Sequence, residues 1–131
     1  MTADTRSPDV VLILLDTLRA DRLSCYGHSA ETTPHLDAFA AESVLFERAI
    51  SPAQWTIPAH GSIFTGEWPT THGTTQIYDK HSPAYPTLAE HLAARGYRTA
   101  GFCNNPLLGV VENDLDRGFQ EFYNYGGVLP N

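Results

Sequence analysis

Asp9-Val10-Val11-Leu12-Ile13-Leu14-Leu15-Asp16 is an unbroken apolar run that ends on a carboxylate. Alternating polarity would mark a strand with one wet face. Continuous apolarity marks one covered on both faces, as in a parallel sheet between helices. The run is far too short to span a bilayer. In sheets of this kind ligands gather beyond the carboxyl ends of the strands, and Asp16 stands at such an end. A carboxylate there is a hard oxygen ligand for Ca²⁺, Mg²⁺ or Mn²⁺, or else it caps the turn after the strand.

Working outward, residues 17–32 are polar and irregular, with Asp21 and Arg22 in a solvated turn or an ion pair. Thr33-Pro34 predicts a helix start, Thr33 as N-cap and Pro34 in the first position. Leu36, Phe39 and Ala40 give that helix an apolar face. Residues 44–50 predict a second strand, which leads into Pro52-Ala53-Gln54-Trp55-Thr56-Ile57-Pro58-Ala59-His60-Gly61-Ser62-Ile63-Phe64-Thr65-Gly66. Here Pro58 suits the first helical position and Gly66 the stop. Thr56 then lies where free N–H groups and the positive end of the helix dipole point outward, a place for a sulfate or phosphate group. A threonine there also serves as a plain helix cap.

Residues 67–73 form a loop dense in turn formers, where His72 either approaches the site or is an ordinary loop histidine. Residues 77–86 continue as loop with no assignable chemistry. Thr87-Leu88-Ala89-Glu90 is a capping box opening a helix that stops at Gly96, with Leu88, Leu92 and Ala93 toward the sheet and His91 toward solvent. Residues 97–103 predict the next strand, ending in Asn104-Asn105-Pro106. Amides at a strand's carboxyl end can donate to an oxyanion, or simply make the turn before proline. The tail from Asp116 to Tyr125 predicts a loop and a short edge strand anchored by Phe119, Phe122, Tyr123 and Tyr125. Strand–helix–strand–helix–strand order makes this an α/β fold with a largely parallel sheet flanked by helices, with Asp16, Thr56 and Asn104 near one edge.

A length of 131 residues allows one modest domain with a real core, and no linker block or internal repeat interrupts it. The net charge is −7, and Lys80 is the single lysine among 8 basic residues, so bulk electrostatics speak against nucleic acid as a partner. Cys25 and Cys103 fit no zinc spacing and read as reduced thiols of an intracellular protein. The polar N-terminus shows no signal peptide. The expectation is a soluble, cytoplasmic chain with no membrane partner.

Taken in order, these segments resemble the N-terminal part of the sulfatase family, within the alkaline phosphatase superfamily. Residues 10–16 followed by Leu18-Arg19-Ala20-Asp21 are similar to the family's opening strand, and Cys25-Tyr26-Gly27 and Thr32-Thr33-Pro34-His35-Leu36-Asp37 to its next segment. Thr56-Ile57-Pro58-Ala59-His60 stands where sulfatases carry Cys/Ser-x-Pro-x-Arg. Thr65-Gly66, Pro69 through His72-Gly73, residues 87–96, Tyr97-Arg98-Thr99 and Gly118-Phe119 through Phe122-Tyr123 follow in the expected order.

The resemblance implies that residues 1–131 are the N-terminal portion of a catalytic domain, an alkaline-phosphatase-like fold that is incomplete. It implies a nucleophile at Thr56 with His60 beside it, and substrate contacts at Asn104 and His72. It also implies a divalent metal on Asp16 and Thr56, with calcium favoured over manganese or zinc. The substrate would be a small-molecule sulfate or phosphate ester. Four departures qualify the match. Threonine is not known to be converted to formylglycine, so no formylglycine is expected; direct hydroxyl nucleophiles belong to the superfamily's phosphatases, phosphodiesterases and transferases. His60 replaces the signature arginine. Thr17 stands where a second aspartate ligand is usual. Cys103-Asn104-Asn105-Pro106 replaces the family's Gly-Lys-Trp-His. Family catalytic domains are several times longer and draw further metal ligands from their C-terminal part, so this stretch is expected to be inactive alone. The alternatives are a phosphodiesterase or phosphoryl transferase of the same superfamily, or a non-catalytic truncated relative.

Overall fold

A computed structural model describes residues 7–126. The chain divides into two units, Met1–Ala49 and Ile50–Asn131, and each is described by itself.

In the first unit two single 3₁₀ turns, Ala20–Arg22 and Ser24–Tyr26, precede helix α1, Pro34–Ala41. Thr33 is the N-cap residue and Pro34 opens the helix, as its fixed φ predicts, but the Thr33 hydroxyl makes no capping bond. It donates instead to Asp37 Oδ1 at 3.1 Å, and the same oxygen accepts the Cys25 N–H at 2.8 Å. The helix is thereby tied to the preceding turn. Asp21 pairs with Arg19 rather than with its neighbour Arg22, through bonds of 2.9 and 2.6 Å.

Neither strand expected in this region forms. Residues 10–15 and 44–50 lie outside any ladder among the described residues. Val11 is 80% exposed, Ile13 75% and Val44 81%. Apolar continuity states that a segment needs cover on both sides, but a strand exists only when a neighbour takes its N–H and C=O groups.

The second unit holds α2 (Thr56–Thr65), α3 (Pro69–His72), α4 (Leu88–Ala93), β1 (Ala100–Cys103) and β2 (Glu121–Asn124). β1 and β2 pair in parallel, Ala100 opposite Glu121 through Cys103 opposite Asn124, and residues 104–120 make the crossover. The fold is therefore of the expected α/β class, and the expected edge strand in the tail is β2. Ile57, Leu108 and Leu115 form the buried core, with Trp55, Phe64, Cys103, Leu107 and Phe122 packed against it.

Helix α2 begins two residues before the expected start, with Trp55 as N-cap. Pro58 is accommodated because no N–H of the first turn has an intrahelical partner. Gly66, at φ 76°, closes the helix by donating its N–H to Ser62 O at 2.8 Å. Residues 69–72, expected as loop, make a one-turn helix opened by Pro69.

The α4 capping box is complete: Thr87 Oγ1 accepts the Glu90 N–H at 3.1 Å, and Glu90 Oε2 accepts the Thr87 N–H at 2.7 Å. Ala89, rather than Leu88, turns inward; Leu88 is 38% exposed. Thr87 also donates to Arg117 O (2.9 Å), and the Arg117 guanidinium reaches Glu90 Oε1 (2.8 Å), His81 O (3.0 Å) and Tyr85 O (3.2 Å). Arg117 thus ties the loop before α4 to the helix. Gly118 follows at φ 92°, where a Cβ would stand 2.4 Å from Glu90 N. Among the described residues no helix is long and apolar enough to cross a membrane.

Candidate active site

Thr56 is the first residue of α2, half-buried, at the end of the helix where the N–H groups lack intrahelical partners. Its Oγ1 accepts a hydrogen bond from Asn105 Nδ2 at 3.3 Å. The orientation of that amide follows from its other end: Asn105 Oδ1 accepts the Leu107 N–H at 3.0 Å, so Nδ2 is the atom left to face Thr56. The backbone of Asn105 is held as firmly. Its N–H donates to Cys103 Sγ at 3.2 Å, and its carbonyl accepts from Asn124 Nδ2 at 2.8 Å. The carboxyl ends of β1 and β2 thus carry an amide onto the threonine oxygen at the mouth of α2.

Sequence reading places Asn104 at the substrate, and Asn104 is exposed at the same strand end. The amide that reaches Thr56 is its neighbour's. For Asn105 the turn role and the donor role coexist, since Oδ1 makes the turn and Nδ2 the bond to Thr56.

His60 lies one turn along α2 from Thr56 and is 7% exposed. Its Nδ1 is 2.9 Å from Thr56 O, a carbonyl that can only accept, so Nδ1 carries a proton. The ring meets Phe64 edge-on, centroids 5.8 Å apart. His60 therefore holds the backbone of the residue whose hydroxyl is at issue.

His72, 2% exposed, packs on the back of α2 at Gly61, where a Cβ would stand 2.7 Å from its Cε1. Its Nδ1 accepts the Thr74 N–H at 3.1 Å, which puts the proton of the neutral ring on Nε2, 3.1 Å from Ser62 Oγ. Burial, and then the nearby His81 ring, push the His72 pKa below its ordinary value. His81, for which sequence reading had no role, is 1% exposed, with Nδ1 2.9 Å from Thr74 Oγ1 and Nε2 2.9 Å from Tyr85 O. Its one signal in the sequence is a histidine in an otherwise featureless loop.

Asp16 belongs to the first unit and is exposed there. Among the described residues no three His, Cys, Asp or Glu side chains converge to hold a metal ion. Calcium takes about six to eight oxygen ligands, so the donor set present here, with Asp16 as its one expected carboxylate, does not make a metal site by itself.

The family model for sulfatases matches residues 8–130. Human arylsulfatase A is 37% identical over 133 residues, which cover 96% of this chain and 26% of that protein. Human arylsulfatase H is 32% identical over 143 residues, 94% of this chain and 25% of that protein. Among solved structures, the phosphonate monoester hydrolase of Agrobacterium radiobacter superposes with a TM-score of 0.69 at 25% identity, over 86% of this chain and 24% of that one. The chain spans about a quarter of the length of these relatives.

Proposed function

The chain belongs to the sulfatase family, with an alkaline-phosphatase-like α/β fold, and from that premise we propose that it carries the nucleophile of an ester hydrolase acting on small sulfate or phosphate esters, with Thr56 as that nucleophile. The observation that carries this reading is the placement of Thr56 Oγ1 on the first residue of α2, accepting from Asn105, within the segment that resembles the family's signature.

In the proposed step Thr56 Oγ1 attacks the sulfur or phosphorus, its own proton leaves to solvent or base, and the ester's alcohol departs with the bonding pair and takes up a proton. Water then cleaves the threonyl ester, regenerating the hydroxyl. A threonine ester has no aldehyde to fall back to, so the second step needs that water. His60, through Thr56 O, and Asn105, through Thr56 Oγ1, fix where the oxygen sits. Asp16 would lend one carboxylate oxygen to a divalent ion, calcium by preference. The described residues do not complete such a site.

A hydroxyl nucleophile and the likeness to a phosphonate monoester hydrolase favour phosphorus esters within this class. A second reading, a relative without turnover, draws on the short donor set.

Assays with 4-nitrophenyl sulfate and a phenyl phosphonate monoester, on a form of the protein that spans the relatives' whole length and on its Thr56→Ala variant, decide between them. A nucleophile predicts loss of at least about 10²-fold in kcat in the variant. Unchanged turnover reduces Thr56 to a helix terminus, and no turnover in wild type favours the second reading.

A further inference from the structure

We propose that Asn105 is the positioning residue of Thr56: its side-chain amide sets the rotamer of the hydroxyl and keeps Oγ1 in the role of acceptor. As a statement about catalysis this rests on the nucleophile reading above; as a statement about the hydroxyl's orientation it stands alone.

Three constraints leave the amide little freedom. Leu107 N–H holds Oδ1, Cys103 Sγ accepts the backbone N–H, and Asn124 Nδ2 donates to the backbone carbonyl. Asn124 is itself fixed, with Oδ1 accepting the Gly126 N–H at 2.7 Å and Nδ2 also donating to Leu108 O. The Nδ2 hydrogens are therefore aimed by both strands, 49 residues away in sequence from the oxygen they meet. An N–H donor on Oγ1 does two things. It occupies one lone pair and so directs the hydroxyl proton and the other lone pair elsewhere. It also favours the oxygen as charge grows on it, because a neutral donor becomes a charge-assisted one. A carboxylate in its place would accept the hydroxyl proton and reverse that preference, and an apolar side chain would take the donor away from Oγ1. The 3.3 Å separation is long for such a bond, as bonds to catalytic groups are before substrate tightens them.

The test uses the 131-residue chain in solution and needs no turnover. Three-bond couplings to Thr56 Cγ2 report its rotamer, and hydrogen exchange of the Asn105 side chain reports the bond. Wild type is expected to hold a single Thr56 rotamer. Asn105→Leu is expected to average it. Thr56→Val, similar in shape but without an acceptor, is expected to speed exchange of the Asn105 amide about tenfold while the Leu107 N–H keeps its protection. A Thr56 rotamer that stays single in Asn105→Leu, or Asn105 exchange unmoved in Thr56→Val, overturns the proposal. Asn105→Asp keeps the acceptor for Leu107 and gives up the donor, so it separates a structural role from a positioning one. Where ester turnover is measured, that variant is expected to lower kcat about 10- to 100-fold with KM little changed. Full activity in Asn105→Asp removes the catalytic half of the proposal. Full activity in Thr56→Ala, with the exchange result intact, overturns the nucleophile reading and leaves Asn105 as an orienting contact only.

Discussion

His72 has no room for a second proton. Its Nδ1 faces the Thr74 N–H, so an imidazolium would set N–H against N–H, and the His81 ring lies with its centroid 5.9 Å away. Burial first, then His81, hold the folded-state pKa below the ordinary 6.5. A group whose pKa falls on folding is protonated first in the unfolded chain. Its share of stability is therefore complete above the unfolded pKa and lost as pH falls through the folded one. Unfolding midpoints in urea are expected to drop as the pH falls below about 6.5, and His72→Gln to flatten that part of the profile. A profile of the same slope in the variant would place the acid sensitivity elsewhere. The same ring makes Gly61 obligatory. Its nitrogens are engaged by Ser62 and Thr74, so the ring cannot yield to a Cβ 2.7 Å from Cε1. Overpacking of this kind costs about 1–3 kcal/mol, against the ~1 kcal/mol that alanine gains over glycine in a helix. Gly61→Ala is expected to be net destabilising in urea unfolding, and to be relieved when combined with His72→Ser.

The elements divide by how local their determinants are. The start of α4 was legible because Thr87 and Glu90 satisfy each other across one turn, while its inward face was not, since Ala89 rather than Leu88 is buried. Burial pushes the Glu90 carboxyl up, but the Arg117 side chain and the Thr87 N–H outweigh it and hold its pKa below the ordinary value. Thr87→Ala would lose the cap and the bond to Arg117 O together, a cost of about 1–2 kcal/mol, read as a lower urea midpoint with unchanged slope. An unchanged midpoint would show the cap to be redundant with Arg117. α2, β1 and β2 were legible for similar reasons: Gly66 marks a stop, and aromatic spacing marks the tail strand. The site was half legible. Thr56 could be singled out from its place at a helix start. That Asn105, not Asn104, meets it could not, because adjacent amides differ only in which one a 49-residue excursion brings round. His81 was invisible for the same reason, its partners being contributed by the fold rather than by its neighbours in sequence.

On the scale of the whole molecule, what the first unit leaves uncovered sets its behaviour. Val10, Val11, Leu12, Ile13 and Leu15 are each more than half exposed, and Val44, Phe46 and Phe39 are exposed at 70% or more. Contiguous apolar surface beyond a few hundred Å² is rare on soluble monomers. A run apolar on both faces whose backbone is unpaired in any described ladder is also a template for strand addition. Burying such side chains is worth about 25 cal/mol per Å², enough for association to compete with the monomer at modest concentration. The 131-residue chain is therefore expected to self-associate as its concentration rises, seen as growing mass in light scattering after size-exclusion chromatography. Val11→Lys together with Ile13→Lys should lower that tendency, since two like charges on the run repel a second copy and add nothing to bury. The substitutions lie in the first unit, so the urea unfolding of the second, followed through Trp55 and Trp68 fluorescence, should not move. A wild-type chain that stays monomeric up to about 1 mM would mean that the apolar run finds cover within the chain in solution, and a shifted second-unit transition in the double variant would mean that the cover is that unit.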